Sequence, residues 1–224
     1  RLLQVAPMEY SELRHRMVES QIRTMGVNSP TVLAAFEEVP REKFISQEIV
    51  EFAYIDDQVD IGDGRVVLEP LVIALILQAL TITKDSVVLE VGSGTGYVTS
   101  LLSLLGGTIV ALEINEGLAS KASENLLDIG MDNVLVVNEN MVDGYKKQAP
   151  YDVIFFSGGA EFIPDNIVDQ LADGGRLGAV VPSADSLGKG IIIQKFGASI
   201  TKREIFSGKA KTLPGFSKVV PFSL

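Results

Sequence analysis

The sequence predicts an α/β domain with a mainly parallel sheet, an antiparallel edge and an N-terminal helical extension. Three observations predict it. From Ser86 onward, short apolar runs alternate with stretches of helical period, the pattern of a parallel sheet covered on both faces. The last apolar runs, 191–196, 200–206 and 219–222, succeed one another without helices and predict antiparallel closing strands. The opening residues carry helical periodicity, and no flexible linker separates them from the α/β part. The expected organisation is a single domain over 1–224, with the extension over 1–60 and the α/β core over 61–224.

Each element has its own signal. Tyr10, Leu13, Met17, Val18, Ile22 and Met25 recur at near-helical spacing, and Gly26 stops that helix. Ser29-Pro30 reads as an N-cap followed by proline at the first helical position. Val32, Leu33, Phe36 and Val39 form that helix's inner face, and Pro40 ends it. Between Ala53 and Pro70 the pattern is irregular, with a turn at Gly62-Asp63-Gly64; 71–80 then reads as a buried helix. The alternating part predicts strands at 87–91, 108–114, 133–137, 151–156 and 176–181, with helices at 97–105, 116–129 and 164–171.

Composition narrows the function. Nineteen Lys and Arg against 29 Asp and Glu leave a net charge of −10, which disfavours nucleic acid and anionic membrane as partners. The chain has no cysteine and a single histidine, His15, in an Arg-rich amphipathic stretch where a surface role is expected. Thiolate chemistry, Ser-His-Asp catalysis and Cys- or multi-His metal sites are thereby excluded, and no metal is expected. The most apolar run, 71–77, is far shorter than the roughly 20 residues of a membrane span. No signal peptide is evident, and a cytoplasmic location is the expectation.

The chemistry concentrates at Glu90-Val91-Gly92-Ser93-Gly94-Thr95-Gly96-Tyr97, where the first strand of the alternating part runs into a glycine-rich turn. In a parallel sheet, ligands bind at the carboxyl ends of the strands, and glycines let a ligand lie against the backbone. A dinucleotide turn places its third glycine where this chain has Tyr97, and Glu90 is awkward beside a pyrophosphate. Next to the ammonium of a methionine moiety, Glu90 is favourable. Glu113, at the end of the second strand, stands where a carboxylate accepts from both ribose hydroxyls. S-adenosylmethionine offers that ribose and no phosphate. The expected fold is therefore the Rossmann-like class I methyltransferase, and a nicotinamide-linked dehydrogenase is disfavoured.

Beyond the turn, the chain resembles the protein-L-isoaspartate O-methyltransferases over nearly its whole length. The resemblance is carried by Met17–Ile22, Val39–Phe44, Ala53-Tyr54, Ile61–Gly64, Glu69-Pro70, Val88–Tyr97, Glu113, Asn133-Val134, Ala149–Asp152, Ile163-Pro164, Leu171 and Gly174–Leu177. It implies S-adenosylmethionine as cofactor, held by Glu90, Gly92, Ser93, Gly94, Gly96, Glu113, Ile114, Asn140 and Met141. It also implies aged protein or peptide carboxylates as acceptors, beside Val66, Val67 and Leu68.

Where the family has Gln-Thr-Ile-Ser, this chain has Arg65-Val66-Val67-Leu68, which removes two hydroxyl donors near the reacting carboxylate. The family's Gly-Asp-Gly becomes Glu139-Asn140-Met141, and its Thr-Ala-Ala-Ala becomes Ser157-Gly158-Gly159-Ala160. The segment Leu213-Pro214-Gly215-Phe216 also departs from the family's usual close. An ionised carboxylate needs no general base to accept an activated methyl group, so no catalytic side chain is expected. The alternatives are transfer to another acceptor, or a cofactor-binding interaction protein with little catalysis.

Overall fold

The computed structural model describes residues 9–218. A short hairpin of β1 (Val59–Gly62) and β2 (Arg65–Val67) precedes the main sheet. The main sheet has seven strands: β3 (Val87–Val91), β4 (Thr108–Leu112), β5 (Val134–Val137), β6 (Tyr151–Gly159), β7 (Leu171–Val181), β8 (Gly188–Phe196) and β9 (Ser199–Gly208). Their order is β5-β4-β3-β6-β7-β8-β9. The first five are mutually parallel, and β8 and β9 close the edge antiparallel, as the pattern predicts. Strand order reverses between β3 and β6, and that switch point is where a crevice opens at the strands' carboxyl ends. The expected closing strand at 219–222 lies outside the described residues.

Sequence signals set most helix ends. The first helix departs from a uniform α-helix. α1 spans Tyr10–Arg16, Met17–Ile22 continues it as a π-helix, and a 3-10 turn at Arg23–Met25 ends at left-handed Gly26. His15 lies on its surface, with Nδ1 2.8 Å from Glu37 Oε1. α2 (Pro30–Glu38) starts with Ser29 Oγ accepting from Val32 N and Pro30 at the first position. α3 (Pro70–Leu80) covers one sheet face, α4 (Tyr97–Leu105) follows the glycine turn, and α5 (Glu116–Asp128) is capped by Asn115.

Other elements also differ from expectation. The irregular stretch before α3 contains the β1–β2 hairpin, with Val59 opposite Val67. Gly62, Asp63 and Gly64 all take positive φ at its turn, and too few residues flank it for alternation to be legible. The helix expected at 164–171 is only α6 (Asp165–Val168), because Leu171 already pairs with Tyr151 as the start of β7. β4 stops at Leu112 rather than Ile114, and β6 continues through its small residues to Gly159.

Two apolar cores sandwich the sheet. One joins α2, α3, α4 and the N-terminal helices to Val88, Val153, Phe155 and Ile192. The other gathers Leu89, Val91, Phe156, Ile167, Leu213 and Phe216 on the opposite face. Buried Arg41 stitches the N-terminal segment to the sheet domain: Nε donates to Ala53 O at 2.7 Å and Nη2 to Leu68 O at 2.9 Å. Its guanidinium also stacks 4.7 Å from the centre of the Tyr97 ring. Among the described residues, no helix is long and apolar enough to cross a membrane.

The α3–β7 seam yields a packing prediction. A Cβ on Gly178 would overlap Ile76 Cγ2, so α3 reaches the sheet only because that position lacks a side chain. Gly178→Val should lower unfolding free energy by about 1–3 kcal/mol through overpacking. Urea denaturation of the two proteins measures it, and an unshifted midpoint would show that the helix is free to give.

Candidate functional site

The glycine turn sits at the carboxyl end of β3, at the switch point. Gly92 (φ 85°), Gly94 (φ 56°) and Gly96 (φ 96°) take left-handed conformations that other residues rarely adopt. Backbone bonds pin the turn to β4: Gly92 N and Ser93 N donate to Leu112 O at 2.8 and 3.2 Å. A Cβ on Gly96 would lie in ordinary contact with Ala122, so it is the positive φ rather than space that calls for glycine there. Thr95 Oγ1 donates to Phe44 O at 2.8 Å, tying the turn to the N-terminal segment.

Glu113 directly succeeds β4 and is wholly buried. Gly94 N donates to its Oε2 at 2.8 Å, and Asn115 N to its Oε1 at 3.0 Å. Arg65 Nη1, from β2, donates to Oε1 at 2.6 Å with only 3% of its side chain exposed. Asn138 Nδ2 steadies the strand end by donating to Glu113 O at 2.8 Å. The structure therefore brings Glu113 against the turn, and sets the Arg65 cation on it.

Glu90 behaves differently from Glu113. Both of its oxygens are taken by hydroxyls: Ser157 Oγ donates to Oε1 at 2.6 Å, and Thr99 Oγ1 donates to Oε2. Full burial pushes its pKa up to about 7 although those two donors oppose the shift. Glu90 thus stands beneath the turn as a partner of β6 and α4.

The other expected positions spread over the same rim. Ser93 is buried at the turn, and among the described residues its Oγ has no partner. Ile114 is 44% exposed just beyond Glu113. Asn140 is exposed, with Nδ2 donating to Asp143 Oδ2 at 3.0 Å, which leaves its amide oxygen as an acceptor. The Met141 side chain lies in the core. On the acceptor side, Val66 is half-buried, while Val67 and Leu68 belong to the core, Leu68 being 1% exposed. A cavity of about 10 Å³, room for about one water, remains between hairpin and turn; Val66, Leu68, Ser93 and Ser157 are among its lining residues.

Sequence reasoning missed what fills the cleft. A Cβ on Gly92 would lie 2.7 Å from Leu213 Cδ2 and 3.0 Å from Arg65 Nη2, and one on Gly94 would lie 2.8 Å from Ile61 Cδ1. Two signals were available. Arg65 is a lone charge before Val66-Val67-Leu68, which calls for a buried counter-ion, and Leu213–Phe216 breaks the family pattern. The fit of S-adenosylmethionine has two sides. Its binding groups are present in the positive-φ turn and in Glu113, and the side chains of Arg65, Leu213 and Ile61 stand against that turn.

A parallel sheet with a glycine turn at one strand end and a buried carboxylate at the next defines the class, an S-adenosylmethionine-dependent methyltransferase of the class I, Rossmann-like fold. The family profile described as protein-L-isoaspartate(D-aspartate) O-methyltransferase matches residues 12–200. Protein-L-isoaspartate O-methyltransferase 1 of Syntrophobacter fumaroxidans is 33% identical over 90% of this chain and 93% of its own length. Protein-L-isoaspartate O-methyltransferase of Methanoculleus marisnigri is 38% identical over 75% of this chain and 76% of its own. A solved protein-L-isoaspartate O-methyltransferase superimposes with TM-score 0.79 at 25% identity, covering 92% of this chain and 66% of that one. The Plasmodium falciparum structure described as a putative protein-L-isoaspartate O-methyltransferase with S-adenosyl-L-homocysteine shares the fold, with TM-score 0.76 at 23% identity over 92% of this chain and 99% of that one. The chain belongs to the protein-L-isoaspartate(D-aspartate) O-methyltransferase family.

The raised pKa of Glu90 fixes a pH dependence. Between the ordinary value of 4.5 and about 7, the folded protein holds a proton that the unfolded chain has released. Glu90 therefore favours folding most below that window, and its contribution is lost as pH rises through it, by up to about 1.4 kcal/mol per unit. Glu90→Gln should flatten the fall of unfolding free energy across that range. Parallel slopes for the native protein and the variant would show that Glu90 ionises normally.

Proposed function

We propose that the chain transfers the methyl group of S-adenosylmethionine to a protein or peptide carboxylate of the isoaspartyl kind. The observation that carries this reading is the Gly92–Gly96 turn with buried Glu113 beside it, at the switch point of a sheet belonging to this family. The cofactor supplies a methyl group already activated on a sulfonium.

The chain's own part is binding, orientation and exclusion of water. Glu113 would accept from the ribose hydroxyls, the side-chain-free backbone of Gly92 and Gly94 would let the methionine portion lie close once Arg65, Leu213 and Ile61 move aside, and the Asn140 amide oxygen would accept from the adenine amine. Glu90 would hold the end of β3 beneath the turn through Ser157 and Thr99. Hairpin β1–β2 roofs the turn and keeps bulk water from the reacting atoms. The acceptor carboxylate is ionised at neutral pH, so alignment does the work that a base does elsewhere.

Val66 and Leu68 make the acceptor end apolar, and the Leu68 side chain is committed to the core. Isoaspartyl transfer should therefore be slow, because a carboxylate there lacks a hydroxyl donor worth about 1–3 kcal/mol. A net charge of −10 disfavours nucleic acid and anionic membrane as partners. The whole chain serves as one cytoplasmic domain in this reading.

Labelled S-adenosylmethionine, an isoaspartyl peptide and its aspartyl counterpart test the proposal. Base-labile label should appear on the isoaspartyl peptide alone, and label on neither would remove the isoaspartyl assignment. Half-buried Val66 is the position where a hydroxyl fits without emptying the core, and Val66→Thr should speed transfer by roughly tenfold. Glu113→Ala should weaken S-adenosylhomocysteine binding at least tenfold, since charged hydrogen bonds contribute about 1.5–3 kcal/mol each. Calorimetry showing undiminished affinity would move the ribose elsewhere.

A further inference from the structure

We propose that Arg65 is a charged latch on the cofactor site, holding the Glu113 carboxylate that the ribose would take and leaving it when the cofactor enters. The inference rests on the cofactor reading above and concerns what gates that site. Arg65 Nη1 lies 2.6 Å from Glu113 Oε1 in a pair whose two side chains are 3% and 0% exposed. Nη2 lies against the turn, 3.0 Å from where a Gly92 Cβ would stand. Leu213 and Ile61 stand against the same turn at Gly92 and Gly94, and the cavity between hairpin and turn, with Ile61, Gly92 and Ser93 in its lining, holds about one water.

The competition for Glu113 is unequal at first contact. A guanidinium bond to a carboxylate is charge-assisted on both sides, whereas a ribose hydroxyl is neutral. Affinity is then reduced by the fraction of molecules in which Arg65 has already swung away. Two features let the latch open. Nη2 is buried and has no hydrogen-bond partner among the described residues, so the closed form leaves a donor unmet. Arg65 also comes directly after the exposed Gly62–Gly64 turn of the hairpin, whose backbone is not covered by other elements.

Charge makes the latch selective. The methyl donor carries a positive sulfonium and its demethylated product a neutral thioether. A guanidinium at the turn repels the first and not the second, so Arg65 sets the balance between donor and product as well as the affinity for both.

Calorimetry with S-adenosylmethionine and S-adenosylhomocysteine, on the native protein, Arg65→Gln, Arg65→Lys and Leu213→Ala, tests this. Arg65→Gln keeps the side chain's polarity without its charge, and should tighten both ligands tenfold or more, the sulfonium more than the thioether. Arg65→Lys should stay near native, and Leu213→Ala should tighten both ligands equally. A native protein that binds, with Arg65→Gln binding no tighter, would overturn the latch and leave the cofactor reading intact. Failure of all four to bind either ligand would overturn the cofactor reading and the latch with it. On the native protein, slow-exchanging Arg65 Nη protons seen by NMR should lose protection at saturating S-adenosylhomocysteine. Their persistence would also overturn the proposal.

Discussion

Everything at this site hangs on the buried carboxylate of Glu113. It ties three chain segments together, accepting from Gly94 N in the turn, from Asn115 N at the start of α5 and from Arg65 on the hairpin. A carboxylate excluded from water must be compensated by donors and a counter-charge, and removing one partner of such a pair typically costs about 3–5 kcal/mol. Glu113 thus fixes the height of the turn, the start of α5 and the position of the roof in one constraint.

Glu90, one strand over, shows what happens without a cation in contact. It is equally buried but has only two hydroxyl partners, and its pKa rises to about 7. The neighbouring carboxylates have different partners, Glu113 a guanidinium and two amides, Glu90 the hydroxyls of Ser157 and Thr99.

Much of this was legible in the sequence, for physical reasons. The parallel strands were readable because both faces are covered, so 87–91 and 108–112 are nearly continuous apolar runs. Ser29-Pro30 marked a helix start because capping is local chemistry. The turn was readable because its positive-φ positions demand glycine, and Glu113 because it stands at the end of the neighbouring strand. The hairpin at 59–67 was not, since its strands are too short to display a period and its pairing depends on what lies beneath. Leu68 read as an acceptor-site residue, yet the structure gives its side chain to the core and its carbonyl to Arg41. Arg65 and Leu213 were missed because their meaning lies in contacts 48 residues away, for Arg65 with Glu113, and more than a hundred residues away, for Leu213 with Gly92.

Leu213 also couples the far end of β6 to the glycine turn. Its N–H donates to Gly159 O and Thr212 bridges to Gly159, while its side chain stands against Gly92. A change at the last residues of β6 is therefore felt at the turn through a segment more than fifty residues further along the chain.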